Sequence, residues 1–128
     1  MAQNKTVLII GMDPNTVDFS KEGFIKGLTP QKVVAQTEAE RKRLAELGYN
    51  TELGLIDANT QNLEHLSLTL ENKKFDVIMI GAGIRNVPSN FILFEKVINI
   101  VHQFAPKSKI AFNTNPMDTL AAIQRLGE

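Results

Sequence analysis

Apolar and polar positions along this chain follow two rhythms. Short unbroken apolar runs alternate with longer stretches in which apolar residues return every three or four positions. Val7-Leu8-Ile9-Ile10 and Val77-Ile78-Met79-Ile80 are runs of the first kind. Parallel strands covered by helices on both faces read this way, because neither face meets water. A third run, Lys109 to Phe112, is similar, and Thr51 to Ile56 is more mixed, as suits a sheet edge.

Between the runs lie helical patterns. Thr29-Pro30 suits a helix start, with threonine as cap and proline in the first turn. Val33, Val34, Leu44 and Leu47 follow, with Glu38 and Lys42 four apart on a wet face. Gly48 is a C-terminal stop. A second helix opens at Asn59-Thr60 and carries Leu63, Leu66 and Leu70. A third opens at Pro88-Ser89, with Phe91, Phe94, Val97 or Ile98, Val101 and Phe104 in one stripe. Ile92, Leu93 and Ile100 widen it beyond one core contact. A last helix runs from Pro116 through Leu120, Ile123 and Leu126.

The order β-α-β-α-β-α-β-α predicts a parallel sheet with right-handed crossovers. It gives one α/β domain over residues 1–128, three layers deep, with four parallel strands in the order 2-1-3-4. This is a Rossmann-like or flavodoxin-like layout. Ligands bind such sheets at the carboxyl ends of the strands, where the strand order reverses. That point falls between the first and third strands.

Candidate chemistry therefore gathers at the ends of the apolar runs. Gly11, Met12 and Asp13 follow the first, and Gly81, Ala82, Gly83 and Arg85 follow the third. Glycines after a strand let backbone amides approach a phosphate or a ring. They also serve simple tight turns, and Gly81-Ala82-Gly83 falls short of a dinucleotide fingerprint. Arg85 can grip a carboxylate or phosphate, or stand solvated. In Asn113-Thr114-Asn115-Pro116-Met117-Asp118, Asn115 reads as a helix N-cap with Pro116 as first helical residue and Asp118 reaching back. Asn113 and Thr114, polar groups ending an apolar strand, need another reason and are site candidates.

The segment Gly11 to Leu28 is long for a strand-to-helix connection, which usually takes about 2–6 residues. Its Val17, Phe19, Phe24 and Ile25 must pack on something. Overhanging the switch point, it is either a lid or a static plug.

Bulk composition narrows the classes. The 128 residues hold 14 basic and 14 acidic side chains, so no global field draws nucleic acid or an anionic membrane. No cysteine is present, which excludes disulfides and thiol chemistry. No apolar run nears the ~20 residues that span a bilayer, and Met1 to Thr6 lacks a signal-peptide core. The expectation is a cytoplasmic protein. Asp13, Asp18 and Asp57 sit near strand ends, but such residues more often cap turns, so no metal site is assigned. His65 and His102 are lone helical residues. No nucleophile, general base or cofactor is singled out, and whether the protein is an enzyme stays open.

Asp76 to Ile123 resembles part of the lactate/malate dehydrogenase cofactor domain. The resemblance rests on Gly81-Ala82-Gly83-Ile84-Arg85 after a strand and Asn115-Pro116-Met117-Asp118 at a helix start. It implies that Gly83 lines a cofactor, Asn115 touches substrate and Asp57 takes the ribose position. It covers under half of the chain, without the first glycine-rich fingerprint. The layout also resembles a response-regulator receiver domain, but Gly81 stands where the phosphoacceptor aspartate belongs and only Asp13 of the acidic pair is present. As a whole the chain is similar to small bacterial and fungal α/β proteins with the same glycine-alanine-glycine and asparagine-threonine-x-proline signatures, which implies the fold and no activity.

The expected function is binding of a small anionic molecule or nucleotide. The alternative is a non-catalytic interaction module. The surplus apolar surface of the third helix predicts a two-fold homodimer.

Overall fold

The structure is a computed structural model and describes residues 5–126. Four strands, β1 (Lys5–Met12), β2 (Tyr49–Ile56), β3 (Val77–Ile80) and β4 (Lys109–Phe112), form one parallel sheet in the order β2-β1-β3-β4. The predicted order is the observed one. Among the described residues five α-helices accompany the sheet: α1 (Pro30–Glu46), α2 (Glu64–Asn72), α3 (Ala82–Arg85), α4 (Phe91–Phe104) and α5 (Thr119–Gln124). Among the described residues no helix is long and apolar enough to cross a membrane.

Strand alternation divides the core into two layers. Leu8, Ile10, Ile78 and Ile80 point to one face and pack against Leu66 and Leu70 of α2 and Leu93, Val97 and Val101 of α4. Val7, Ile9, Val77 and Met79 point to the other, against Leu44 of α1 and Ala122 and Ile123 of α5. Each such fully buried aliphatic side chain stabilises the fold by roughly 1.5–3 kcal/mol.

The ends of elements differ from the sequence reading in instructive ways. β1 extends to Met12, because it pairs with β2 along all eight positions, Lys5 with Tyr49 through Met12 with Ile56. Gly11 and Met12 therefore belong to the strand, and the long connection begins at Asp13. The first helix is capped as expected, with Lys32 N–H donating to Thr29 Oγ1 at 3.2 Å, and Gly48 takes the left-handed φ of 94° after it. Glu38 pairs with Arg41 at 2.9 Å rather than with Lys42.

Helix α2 starts at Glu64, not at Asn59-Thr60. Asp57 Oδ1 accepts from the amides of Asn59 and Thr60, which closes a turn instead of opening a helix. The last helix starts at Thr119, not at Pro116. Asn115 Oδ1 accepts from Met117 N–H, and Asp118 accepts from the amides of Thr114 and Asn115. The sequence 115–118 is thus a side-chain-stabilised turn. In α4 the expected core residue Phe91 is 63% exposed, while Leu93, expected as surplus, is buried. Leu93, Val97 and Val101 form the inward stripe, and Phe91 lies on the solvent side of the helix.

Candidate functional site

A crevice of about 160 Å³ opens at the carboxyl ends of β1 and β3, on the face covered by α1 and α5. Its floor is the sheet end, with Ile9, Gly11, Met79 and Gly81. One wall is the start of α1, with Val33, Val34 and Thr37. The roof is the long connection, with Phe19, Phe24 and Ile25. Gly11, Met12, Gly81, Ala82, Gly83, Asn113 and Thr114, all expected from sequence, line it. Asp13 and Arg85 are not in the lining.

Asp13 is occupied by local structure. Its Oδ1 accepts from Asn15 N–H at 3.1 Å, capping a single 3-10 turn over Pro14–Thr16. Thr16 Oγ1 of that turn in turn accepts from Ala58 N–H at 2.9 Å, tying the turn to the end of β2. Arg85 turns toward β4. Its Nη2 donates to the Asn113 carbonyl at 3.1 Å, and the guanidinium carbon stands 5.6 Å from the centre of the Phe112 ring.

The far wall is held by buried polar side chains. Asn113, 4% exposed, accepts from Ala82 N–H at 2.7 Å and donates through Nδ2 to Thr119 Oγ1 at 3.1 Å. Asn90 Nδ2 donates to the Gly83 carbonyl at 2.9 Å. Glu40, 3% exposed, accepts from Leu120 N–H at 3.0 Å, so a carboxylate of α1 caps the start of α5. Most buried polar groups in proteins are bonded, and each of these bonds fixes a segment bordering the crevice. Thr114 Oγ1 donates to Asp118 at 2.5 Å. Burial pushes the Asp118 carboxyl up, but the hydrogen bonds from Thr114 and Asn115, with help from Arg125, outweigh it and hold the group below the usual carboxylate range. The polar character of Asn113 and Thr114 is accounted for by these internal bonds.

The amides offered by the glycine turn are also engaged. Gly81 N–H donates to the Ile10 carbonyl at 2.8 Å, and Ala82 N–H to Asn113. Glu38 is the one ionisable side chain among the described lining residues, and it is paired with Arg41. Among the described residues no group of three or more histidines and carboxylates stands together to hold a metal.

Sequence reasoning missed Glu40, Asn90 and Thr119. Glu40 was findable: Val33, Thr37, Glu40 and Leu44 fall on one helical stripe, and a glutamate on a core stripe calls for a buried partner. Asn90 and Thr119 carry no such signal, since both follow turns where polar residues are ordinary. No family model matches the chain, and no curated protein matches it.

Proposed function

We propose that this protein binds a small molecule in the crevice between β1 and β3. The observation that carries the reading is the position of that crevice at the sheet's switch point, walled by ends of both central strands, the start of α1 and the overhanging connection. Ligand sites in open α/β sheets form there. The volume suits a compact ligand, since drug-sized ligands take about 300–1,000 Å³. A whole nucleotide needs the connection to move outward. An anionic ligand finds little support, because Arg85 and the Gly81 and Ala82 amides are engaged elsewhere and no cation stands among the described lining residues.

A thermal-shift screen of nucleotides, phosphates, carboxylates and small neutral rings tests the reading. A ligand at about ten times its Kd adds roughly 1.4 kcal/mol, a rise of a few degrees. No compound shifting the midpoint at millimolar concentration contradicts it.

A second reading, a protein-interaction module, is favoured by the rim. Ile25, Val34 and Leu55, all at the crevice, are 48%, 46% and 46% exposed, and such apolar surface suits a partner. A two-fold homodimer belongs to the proposal as well, through Phe91 and Ile92 at the start of α4, 63% and 58% exposed. Light scattering at ~100 µM, where micromolar self-affinity registers, should give twice the chain mass, and a monomer removes the dimer. A cytoplasmic setting completes the proposal, and the lack of cysteine is compatible with it.

A further inference from the structure

Neither crowding nor backbone strain requires a glycine at position 11. Its φ lies outside the left-handed region, and an added Cβ meets no heavy atom within 4 Å. Gly81 differs, because a Cβ there would stand 3.1 Å from the Ile10 carbonyl oxygen, so close strand approach requires it. A glycine inside a strand loses side-chain packing and often marks the close approach of a ligand or another backbone.

The register shows what the missing side chain leaves. Gly11 pairs with Leu55 and Ile10 with Ile80, and Gly81, just past the end of β3, donates its N–H to the Ile10 carbonyl, so Gly81 lies beside Gly11. The row beneath them, Leu53, Ile9, Met79 and Ala111, is filled by side chains. In the row of Gly11 and Gly81 the two central positions are bare peptide, flanked by the side chains of Leu55 and Asn113. The crevice therefore has a flat floor about two strands wide, which is about 10 Å at the usual strand spacing.

We propose that this floor takes an uncharged flat ring of one or two fused cycles, stacked on the peptide planes of Gly11 and Gly81. The inference rests on the reading of the crevice as a binding site and names its ligand class. Shape, size and charge all point this way. A bare peptide surface is complementary to a planar face and not to a bulky aliphatic one. The space of about 160 Å³ matches an apolar cavity of about 150 Å³ that takes benzene. The roof and the α1 wall are largely apolar, through Phe24, Val33 and Val34, and the polar side chains of the far wall are bonded to one another. Glu38, the one ionisable group among the described lining residues, is a carboxylate. An anion entering here would lose its hydration without gaining a cation.

Calorimetric titration with indole, benzoate and cyclohexanol tests the class. Indole should bind with Kd of about a millimolar or below, in keeping with its size, and the other two at least about tenfold more weakly. Gly11→Leu, which fills the floor, should weaken indole at least about tenfold while circular dichroism shows the native fold. Should Gly11→Leu fail to fold, Val34→Trp at the exposed mouth carries the same expectation. With Gly11→Leu or Val34→Trp still blocking, cyclohexanol binding as well as indole overturns the preference for a flat ring, and benzoate binding as well as indole overturns the preference for an uncharged one; either overturns the proposed ligand class and leaves the crevice reading standing. Indole binding unweakened in both variants places it elsewhere and overturns the proposal. No binding of indole overturns the proposal, and the thermal-shift screen then decides separately whether the crevice takes another ligand.

Discussion

Asn113 and Ala82 are 31 residues apart in sequence, yet the side-chain oxygen of Asn113 accepts the Ala82 amide at 2.7 Å. Through this bond the end of β4 fixes the turn that follows β3. The same side chain reaches Thr119, so one buried amide joins α3, β4 and α5. Asn113→Ala leaves the Ala82 amide and the Thr119 hydroxyl without partners. It should cost about 1–3 kcal/mol, read from urea unfolding midpoints. A change below about 0.5 kcal/mol, the size typical of a plain surface site, would mean that the latch is dispensable.

Three glycines separate the possible reasons for glycine. Gly23 has φ of 100°, and a Cβ there would meet the Asn86 carbonyl oxygen at 2.4 Å and Val87 Cα at 2.7 Å. Gly27 has φ of 89° and open space around it. Gly11 has open space and no left-handed φ. Replacement by alanine should therefore be worst at 23, where clash and strain combine, about 1 kcal/mol at 27, where strain acts alone, and neutral or stabilising by up to about 1 kcal/mol at 11. Equal losses at 23 and 27 in thermal unfolding would show that the connection does not dock on residues 86–88.

Strand order, the apolar core and the place of the crevice are legible in the sequence, because continuous apolar runs, caps such as Thr29 and the alternation of elements all agree. Local turn chemistry is less legible. Asp57 and Asn115 look like helix caps, and their side chains do accept backbone amides, but the chain continues as a turn in both places. A cap and a side-chain-stabilised turn share the same residue types. Phe91 and Leu93 were exchanged between core and surface because α4 is apolar on too many sides for its period to fix its rotation. The roles of Asn113 and Glu40 depend on partners far along the chain, which no local pattern records.

The connection over residues 18–28 is expected to be the more mobile wall. Its backbone bonds are local turns, Lys21 N–H to Asp18 O at 3.3 Å, Phe24 N–H to Lys21 O at 3.4 Å and Leu28 N–H to Ile25 O at 3.3 Å. Phe19 and Phe24 are half-buried and meet edge to face, with centroids 5.1 Å apart. The opposite wall is held by buried side-chain bonds. Amides of 18–28 should exchange faster than those of β1 and β3 and slow when a ligand binds. Phe19→Ala should cost less than the about 3–5 kcal/mol of a fully buried phenylalanine. Protection equal to the central strands, together with a loss in that range, would make the segment a static plug.

Stability should also record Asp118. Its carboxyl is held below its ordinary range in the folded protein by its hydrogen bonds, against the upward push of burial. A depressed folded pKa contributes stability that is present above the unfolded value, about 3.9, and is lost as pH falls through the folded value. Asp118→Asn should lower the urea midpoint near neutral pH and lose that difference well below about pH 4. Asp18, lowered by its bonds to Ser20, titrates in the same window and is common to both proteins, so the comparison isolates Asp118. A difference that persists undiminished at low pH would assign the effect to packing instead.

Amide chemical-shift mapping of isotope-labelled protein, with indole, adenosine and benzoate each added at millimolar concentration, decides whether the crevice between β1 and β3 is a ligand site. At least one should move the amides of Gly11, Met12, Gly81, Gly83 and Thr114 together and saturably, leaving α2 and the outer face of α4 still. Shifts confined to other surfaces, or none with any of the three, would contradict that reading.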